Sequence, residues 1–227
     1  MPTRRQIAVL GLGRFGQTVA VELTRLGYDV LAIDESAHVV QDVADEVTHA
    51  VQADMTDMAA LEELGLSKFD VAIVAVSESL EASILTTVLL KRLGVANIIA
   101  KAANELHGSI LEELGVSRVV HPEREMGLRV AHSFAARGVV DYFDVAPGYG
   151  FARVSVSDAV AGRPLSQLDL VGRYHATPIA LHRSGSVTLN PEPTEILRAA
   201  DELVLAGLDE DLARLPAGLD AAPRGAG

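Results

Sequence analysis

A glycine-rich segment near the start of the chain has the residue types and the spacing of a phosphate-binding loop. It follows an apolar run directly and reads Gly11-Leu12-Gly13-Arg14-Phe15-Gly16. In this motif the first glycine permits a tight turn, the second lets the backbone approach a phosphate, and the third lets a helix pack against a strand. The amino terminus of that helix supplies oriented N–H groups. The segment predicts a nucleotide-binding loop; the alternative is a glycine turn that only packs.

An acidic residue in the expected place supports the binding of a nucleotide. Asp34 lies 18 residues beyond Gly16, at the predicted end of the second strand. A carboxylate there accepts hydrogen bonds from the ribose hydroxyls and repels a 2′-phosphate. The pair of features therefore favours a nucleotide with a free ribose diol, namely NAD(H), ATP, ADP or AMP.

The arginine inside the loop narrows this choice. A guanidinium at Arg14 could reach a terminal phosphate and bind two of its oxygens. We therefore favour a site that recognises a β- or γ-phosphate over one that binds a dinucleotide.

Four more side chains are predicted to lie on the ligand side of the sheet. Asp54 and Met55 follow the third predicted strand, where the edge of an adenine would be recognised, Ser77 follows the fourth and Lys101 ends the fifth. Ligands of open parallel sheets bind outside the carboxyl ends of the strands. The alternatives are ordinary loop polarity for Asp54 and a surface lysine for Lys101.

The elements that would position these residues follow a β-α alternation. Continuous apolar runs, typical of strands covered on both faces, occur at residues 7–10, 30–33, 47–51, 71–76, 98–100 and 116–120. Amphipathic helices are predicted at residues 15–26, 37–44, 58–64, 81–93 and 105–114. Glycines stand where four of these helices should end, at positions 27, 65, 94 and 115. The pattern predicts an α/β fold with a Rossmann-like, doubly wound parallel sheet.

The remainder of the chain has a different character. A helix is predicted over residues 122–137, followed by short strands at 151–156, 177–181, 187–189 and 203–206 and a terminal helix at 209–215. We therefore predict a nucleotide-binding domain (1–121), a crossover helix and linker (122–146), a small α+β domain (147–215) and a disordered tail (216–227).

Composition excludes several classes of function. The formal net charge of −12 argues against binding to nucleic acid and against direct binding to anionic lipid. The absence of cysteine excludes disulfides, thiolate metal sites and cysteine nucleophiles. The sequence contains no apolar run of the ~20 residues that a transmembrane helix needs.

Segments along nearly the whole chain resemble the RCK (regulator of K⁺ conductance) family, specifically the cytosolic regulatory subunits of Ktr and Trk potassium-uptake systems. The matching segments are Ile7 to Gly16, Ala32-Ile33-Asp34, Thr48-His49-Ala50-Val51, Ala82-Ser83, Leu85-Thr86-Thr87, Ile99-Ala100-Lys101-Ala102, Val119-Val120-His121-Pro122-Glu123-Arg124-Glu125-Met126-Gly127, Pro164-Leu165, Ile179-Ala180 and Asp201 to Gly207. The run around His121 is the most specific, because an ordinary dehydrogenase has no reason to carry it.

The resemblance implies an RCK N-domain, a crossover helix and a small RCK C-domain. It implies homodimers within an octameric ring that docks on a membrane K⁺ transporter, at the cytoplasmic face of the cell membrane. ATP, ADP or, in relatives, NAD(H) would bind the N-domain. By resemblance, Arg14 contacts the γ-phosphate, Asp34 the ribose, and Glu123 a divalent or monovalent cation near the γ-phosphate. Cyclic di-AMP binds the C-domain of some members, but the matching segment here has no basic residue at Val171.

Two other functions are compatible with the residues. A small NAD-dependent oxidoreductase would need a proton-transfer residue in its substrate domain. The second domain contains no evident His/Asp or Tyr/Lys constellation for that role, so we do not expect an enzyme. A third hypothesis is a stand-alone redox or energy sensor with another protein partner.

Overall fold

The computed structural model describes residues 5–76, 79–134 and 139–219. The chain divides into two compact units, Met1–Pro122 and Glu123–Gly227, and each is described by itself.

The first unit is built on a six-stranded parallel sheet in the order β3-β2-β1-β4-β5-β6. Its strands are β1 (Gln6–Leu10), β2 (Asp29–Asp34), β3 (His49–Gln52), β4 (Val71–Val74), β5 (Ile98–Lys101) and β6 (Arg118–Val120). Its helices are α1 (Arg14–Arg25), α2 (Ala37–Val43), α3 (Met58–Glu63), α4 (Leu80–Arg92) and α5 (Glu105–Glu113). This strand order is that of the Rossmann fold, which confirms the predicted fold class.

Both faces of this sheet are covered, which explains why its strands are continuously apolar. Val9 of β1 and Ala32 of β2 lie on one face, in a cluster with Ala20 of α1 and Val43 of α2. On the other face, a second cluster joins alternate residues of the same strands to α3, α4 and α5; it includes Leu10, Ile33, Leu61, Leu90 and Leu111.

The ends of the helices agree with the sequence to within about two residues. Gly27 after α1 and Gly94 after α4 have φ of +92° and +80°, the left-handed conformation expected of a glycine that ends a helix. At the other end, Asp57 caps α3 by accepting a hydrogen bond from the N–H of Ala59 at 2.9 Å.

The second unit contains a five-stranded antiparallel sheet in the order β10-β9-β11-β8-β7. The strands are β7 (Val139–Ala146), β8 (Tyr149–Ser155), β9 (Thr177–Arg183), β10 (Ser186–Leu189) and β11 (Glu202–Leu208). The helices are α6 (Pro122–Ser133), α7 (Leu170–Tyr174) and α8 (Asp209–Leu212). This agrees with the predicted small α+β fold.

A tyrosine connects β7 to the start of α8 in the core of the second unit. The ring of Tyr142 packs on β8, where a Cβ atom at Gly150 would lie 2.0 Å from the tyrosine hydroxyl oxygen. The Tyr142 hydroxyl donates a hydrogen bond to Asp209. Burial first, and then the neighbouring carboxylate, raise the pKa of Tyr142 far above its usual range, so it remains a donor.

Hydrogen bonds from Arg183 stabilise the turn before β11. Arg183 donates to both carboxylate oxygens of Asp201, at 2.9 and 2.7 Å, and to Glu195 at 2.8 Å. Burial raises the pKa of the Asp201 carboxyl, but the hydrogen bonds from Arg183 and from the Arg198 N–H outweigh it and leave that pKa below its ordinary value.

Two boundaries differ from the prediction. Residues 139–146, predicted as linker, form strand β7; only Tyr142 of this strand is buried, so no apolar pattern marked it in the sequence. In the predicted tail, residues 217–219 form a 3-10 turn and Leu219 is buried in the core of the second unit. Residues 135–138 of the predicted helix and 220–227 of the predicted tail lie outside the described residues.

None of the helices in the described ranges is both long and apolar enough to cross a membrane.

Candidate nucleotide-binding site

The glycine-rich loop lies at the carboxyl end of β1, where the order of the strands reverses. β1 pairs with β2 on one side and with β4 on the other. The helices that follow β1 and β4 pack on opposite faces of the sheet, so a crevice opens between their connections. This is the position at which open α/β sheets bind their ligands.

The three glycines of the loop have different surroundings. A Cβ atom on Gly16 would lie 1.9 Å from the carbonyl oxygen of Gly11, and Gly11 itself has φ of +93°. By contrast, a Cβ atom built on Gly13 has no heavy atom of the described residues within 4 Å, apart from those of Gly13 itself and of the residues next to it in sequence. The fold therefore requires Gly11 and Gly16 to be glycine, whereas Gly13 faces open space of the kind that a ligand could occupy.

The loop ends at the first turn of α1, which presents its amino terminus to the crevice. Gly13 is the N-cap residue, α1 begins at Arg14, and its first turn contains no acidic side chain. The first N–H groups of a helix have no partner within the helix and carry a partial positive charge. Arg14 is exposed and adds a full positive charge, so this end of α1 is suited to an anion.

Asp34 ends β2 beside the loop and is held by two backbone groups. Its Oδ2 accepts from the N–H of Leu12 at 2.7 Å, and its Oδ1 accepts from the N–H of Ser36 at 2.9 Å. Each carboxylate oxygen can accept a further hydrogen bond. The loop and the predicted ribose-binding carboxylate are therefore connected directly.

The loop after β3 is attached to the same residue. The N–H of Ala53 donates to the carbonyl oxygen of Asp34 at 3.0 Å. In the next turn Asp54 Oδ1 accepts from the Thr56 hydroxyl at 2.6 Å and from the Thr56 N–H at 2.8 Å. These bonds, the hydroxyl first, lower the pKa of the Asp54 carboxyl, which is exposed and therefore ionised at neutral pH. Met55 is buried beneath it.

Lys101 ends β5 and lies against the glycine-rich loop. Its Nζ atom is 5.7 Å from the centroid of the Phe15 ring, and the residue is only 6% exposed. The alternative interpretation, a surface lysine, is therefore excluded, because the side chain is buried. A buried cation at this place adds to the positive potential at the loop.

Two predicted residues have no described place in this site. Ser77 lies outside the described residues. Glu123 is exposed in the first turn of α6, in the second unit. No group of three or more His, Cys, Asp or Glu side chains that could hold a metal ion occurs among the residues that the structure describes.

Two buried side chains, on α4 and α5, make contacts that the sequence does not predict. Thr86 of α4 donates to the Met55 carbonyl oxygen at 3.1 Å. His107 of α5 is fully buried, and its Nδ1 accepts from the N–H of Ala103 at 3.2 Å. Burial, and secondarily the neighbouring His121, lower the pKa of His107. The Thr86 contact joins segments that lie far apart in sequence, and the His107 contact involves a loop residue. Neither contact produces a periodic pattern in the sequence.

These features define a class: a Rossmann-type nucleotide-binding unit joined to a small antiparallel α+β unit. Residues 7–122 match the TrkA-N domain family, and residues 151–216 match the TrkA-C domain family. The chain belongs to the family of proteins with these domains, the RCK proteins.

Curated relatives match the chain over nearly its full length. Ktr system potassium uptake protein C of Bacillus subtilis (strain 168) is 37% identical, over 93% of this chain and 96% of its own. Ktr system potassium uptake protein A of the same organism is also 37% identical, over 92% and 95%. Both are named as potassium-uptake proteins, which agrees with the expectation that the chain is not an enzyme.

Solved structures show the same fold. The crystal structure of the GsuK RCK domain has a TM-score of 0.67 and 21% identity, and the match covers 98% of this chain and 49% of that one. The chain thus spans about half the length of that protein. GsuK has also been solved bound to NAD, with a TM-score of 0.66, 21% identity, and coverage of 99% of this chain and 41% of that one.

Proposed function

We propose that this chain is the nucleotide-sensing regulatory subunit of a bacterial potassium-uptake system. In this role it binds ATP and ADP at the glycine-rich loop and controls a membrane subunit that translocates K⁺. The observation that carries the proposal is the open space at Gly13, beside the braced carboxylate of Asp34, in a chain 37% identical to Ktr proteins.

Adenine nucleotides with a terminal phosphate fit the charges of the loop. Arg14 is exposed at the start of α1, so a positive charge and a helix amino terminus occur together at the loop, and Lys101 lies against Phe15 of the same loop. A di- or triphosphate satisfies such a site better than the single diphosphate bridge of NAD(H). Relatives of the same fold bind both kinds of ligand, since GsuK has been solved with NAD and with ADP.

Regulation follows from unequal binding of ATP and ADP to two conformations of an assembly. A ligand shifts such an equilibrium only by the difference between its affinities for the two states. The γ-phosphate distinguishes the two nucleotides, and in this proposal it is contacted by Arg14, which is exposed at the start of α1. A cation held at the γ-phosphate with the help of Glu123 would contribute to the same discrimination.

The remaining parts of the proposal concern assembly and location. The subunit forms homodimers within an octameric ring, and the ring binds a Ktr- or Trk-type membrane K⁺ transporter at its cytoplasmic face. The net charge of −12 suits a basic surface on the protein partner and disfavours direct contact with anionic lipid.

Calorimetric titration of the purified full-length chain with ATP, ADP, NADH and NADPH tests the proposal. We expect tight binding of ATP and ADP with clearly different affinities, and weak binding of NADPH because Asp34 repels a 2′-phosphate. A strong preference for NADH would replace the proposal with a redox sensor, and failure of all four to bind would overturn it.

A further inference from the structure

Three buried hydroxyl groups lie along α4, and one of them makes an unusual hydrogen bond. Ser83, Thr86 and Thr87 are all fully buried. Thr87 donates to the carbonyl oxygen of Ser83 one turn earlier, at 2.8 Å, which is the usual bond of a threonine inside a helix. Thr86 instead donates to the carbonyl oxygen of Met55, 31 residues away in sequence, at 3.1 Å.

The loop that receives this hydrogen bond is short and held at both ends. Ala53 at its start donates to the Asp34 carbonyl oxygen at 3.0 Å, and Asp57 at its end caps α3. Between them, the N–H of Asp57 donates to the carbonyl oxygen of Asp54 at 3.2 Å, which closes a turn. The Thr86 side chain therefore connects α4 to the middle of this turn, at Met55, the residue next to Asp54.

The chemistry of Asp54 suits recognition of a base. Its Oδ1 is occupied by the hydroxyl and the N–H of Thr56, which fixes the orientation of the carboxylate. The ionised, exposed carboxylate is purely an acceptor of hydrogen bonds. Adenine presents an amino group, a donor, at the position where guanine presents a carbonyl oxygen, an acceptor. A carboxylate that faces the 6-position of the base, and not the N1–H and 2-amino donors of guanine, attracts adenine and repels guanine.

We propose that Thr86 is a positioning residue for base recognition: its hydrogen bond to Met55 holds the 53–57 turn so that Asp54 selects adenine over guanine. This inference rests on the function proposed above, because it assigns the base specificity of the same nucleotide site. Thr86 acts through the loop and has no contact with the nucleotide of its own in this role.

The chain offers a matched comparison on the same helix. Thr86→Val removes the hydroxyl at nearly constant volume and leaves the Met55 carbonyl oxygen without this partner. Thr87→Val makes the same change at an equally buried neighbour, but it removes a bond within α4. Thr86→Ser restores the hydroxyl and serves as the rescue variant.

The experiment measures the affinities of the full-length wild type and the three variants for ADP and GDP by calorimetry, with thermal unfolding of each nucleotide-free protein. We expect the wild type to prefer ADP. In Thr86→Val this preference should fall about fivefold, the equivalent of one hydrogen bond of roughly 1 kcal/mol. Thr87→Val and Thr86→Ser should keep the wild-type preference.

Each other outcome has a definite meaning. An equal loss of preference in Thr86→Val and Thr87→Val overturns the inference, because both would act through the stability of the helix. Equal binding of ADP and GDP by the wild type overturns it as well, while leaving the proposed phosphate site intact. If the wild type binds neither nucleotide, the proposed function itself fails. If Thr86→Val does not fold, Thr86→Ala and Thr87→Ala provide the same comparison.

Discussion

At the scale of single residues, the loop between β1 and α1 separates the requirements of folding from those of binding. Gly16 packs against the carbonyl oxygen of Gly11, so its lack of a side chain is needed by the protein itself. Gly13 has no such neighbour in the described residues and an ordinary φ of −63°. A methyl group at Gly13 would therefore meet no atom of the described residues within 4 Å, and in the proposed site it would meet the nucleotide.

The first prediction uses this contrast. Gly13→Ala should leave the unfolding temperature of the nucleotide-free protein unchanged and weaken ADP binding by tenfold or more, about 1.4 kcal/mol. Gly16→Ala should destabilise the nucleotide-free protein by about 1–3 kcal/mol or more, because the loop must move to admit the methyl group. Thermal unfolding and calorimetry of both variants measure this. A destabilised Gly13→Ala with unchanged affinity would contradict it.

The second prediction concerns the charge of Arg14. Arg14→Ala should reduce the ratio between ATP and ADP affinities more than it reduces the binding of adenosine. The reason is that, in the proposed site, the guanidinium contacts the γ-phosphate, which ATP has and ADP lacks. Titrations with ATP, ADP and adenosine measure this, and Arg25→Ala at the other end of α1 is the control. Equal losses of affinity for ATP and ADP would remove Arg14 from the proposed role.

At the scale of elements, the second unit depends on a few charged contacts between strands. Arg183 on β9 binds Asp201, whose carboxylate is almost completely buried, and also Glu195. A buried ion pair is vulnerable because removal of one partner leaves the other charge without compensation. The segment before β11 thus relies on one guanidinium.

The third prediction follows from this dependence. Arg183→Ala should lower the free energy of unfolding of the second unit by about 3 kcal/mol, since Asp201 would stay buried without its partner. Arg173→Ala, at an exposed arginine of α7 in the same unit, should have a much smaller effect. Urea denaturation of the two variants measures the difference. Similar losses in both would show that Asp201 finds other compensation.

Whether a strand could be predicted from the sequence depended on how regularly its apolar residues are spaced. The parallel strands were visible because both faces are buried, as in Val71 to Val74, where every residue is buried. β7 was missed because only Tyr142 of its eight residues is buried. A strand at the edge of an antiparallel sheet gives a weak apolar signal.

The candidate site shows the same limit. The glycine loop and Asp34 were predictable because their spacing in sequence is fixed by one β-α-β unit. The hydrogen bond from Thr86 to Met55 and the contact of Lys101 with Phe15 each join two different β-α segments of the first unit. Nothing in the local sequence specifies such pairs, because tertiary packing decides which side chains meet.

At the scale of the whole molecule, each of the two units has buried hydrophobic residues of its own. In the unit Met1–Pro122 they form two clusters, one on each face of the sheet, and in the unit Glu123–Gly227 they form one. We expect a titratable group buried in one unit to affect the stability of that unit.

The fourth prediction applies this to His107. Its pKa lies below 6.5 in the folded protein, because burial and His121 disfavour the charged ring. As the pH falls below 6.5, the unfolded chain takes up a proton that the folded unit resists, so the first unit loses stability. His107→Gln should flatten this decline between pH 6.5 and 5, in unfolding temperatures measured across that range.

A histidine on the surface of the same unit supplies the control. His49 is exposed, and His49→Gln should leave the decline with pH unchanged. An unaltered decline in His107→Gln would mean that other groups cause it.

The bracing of Asp34 by the N–H groups of Leu12 and Ser36 also has a consequence for timing. A site whose loop and carboxylate are already in place needs no slow rearrangement before a nucleotide enters. Encounter is then fast, and differences in affinity arise mainly from how long each nucleotide stays bound. If the chain has the proposed function, the speed with which it responds to a change in nucleotide supply is set by the residence time of the outgoing nucleotide.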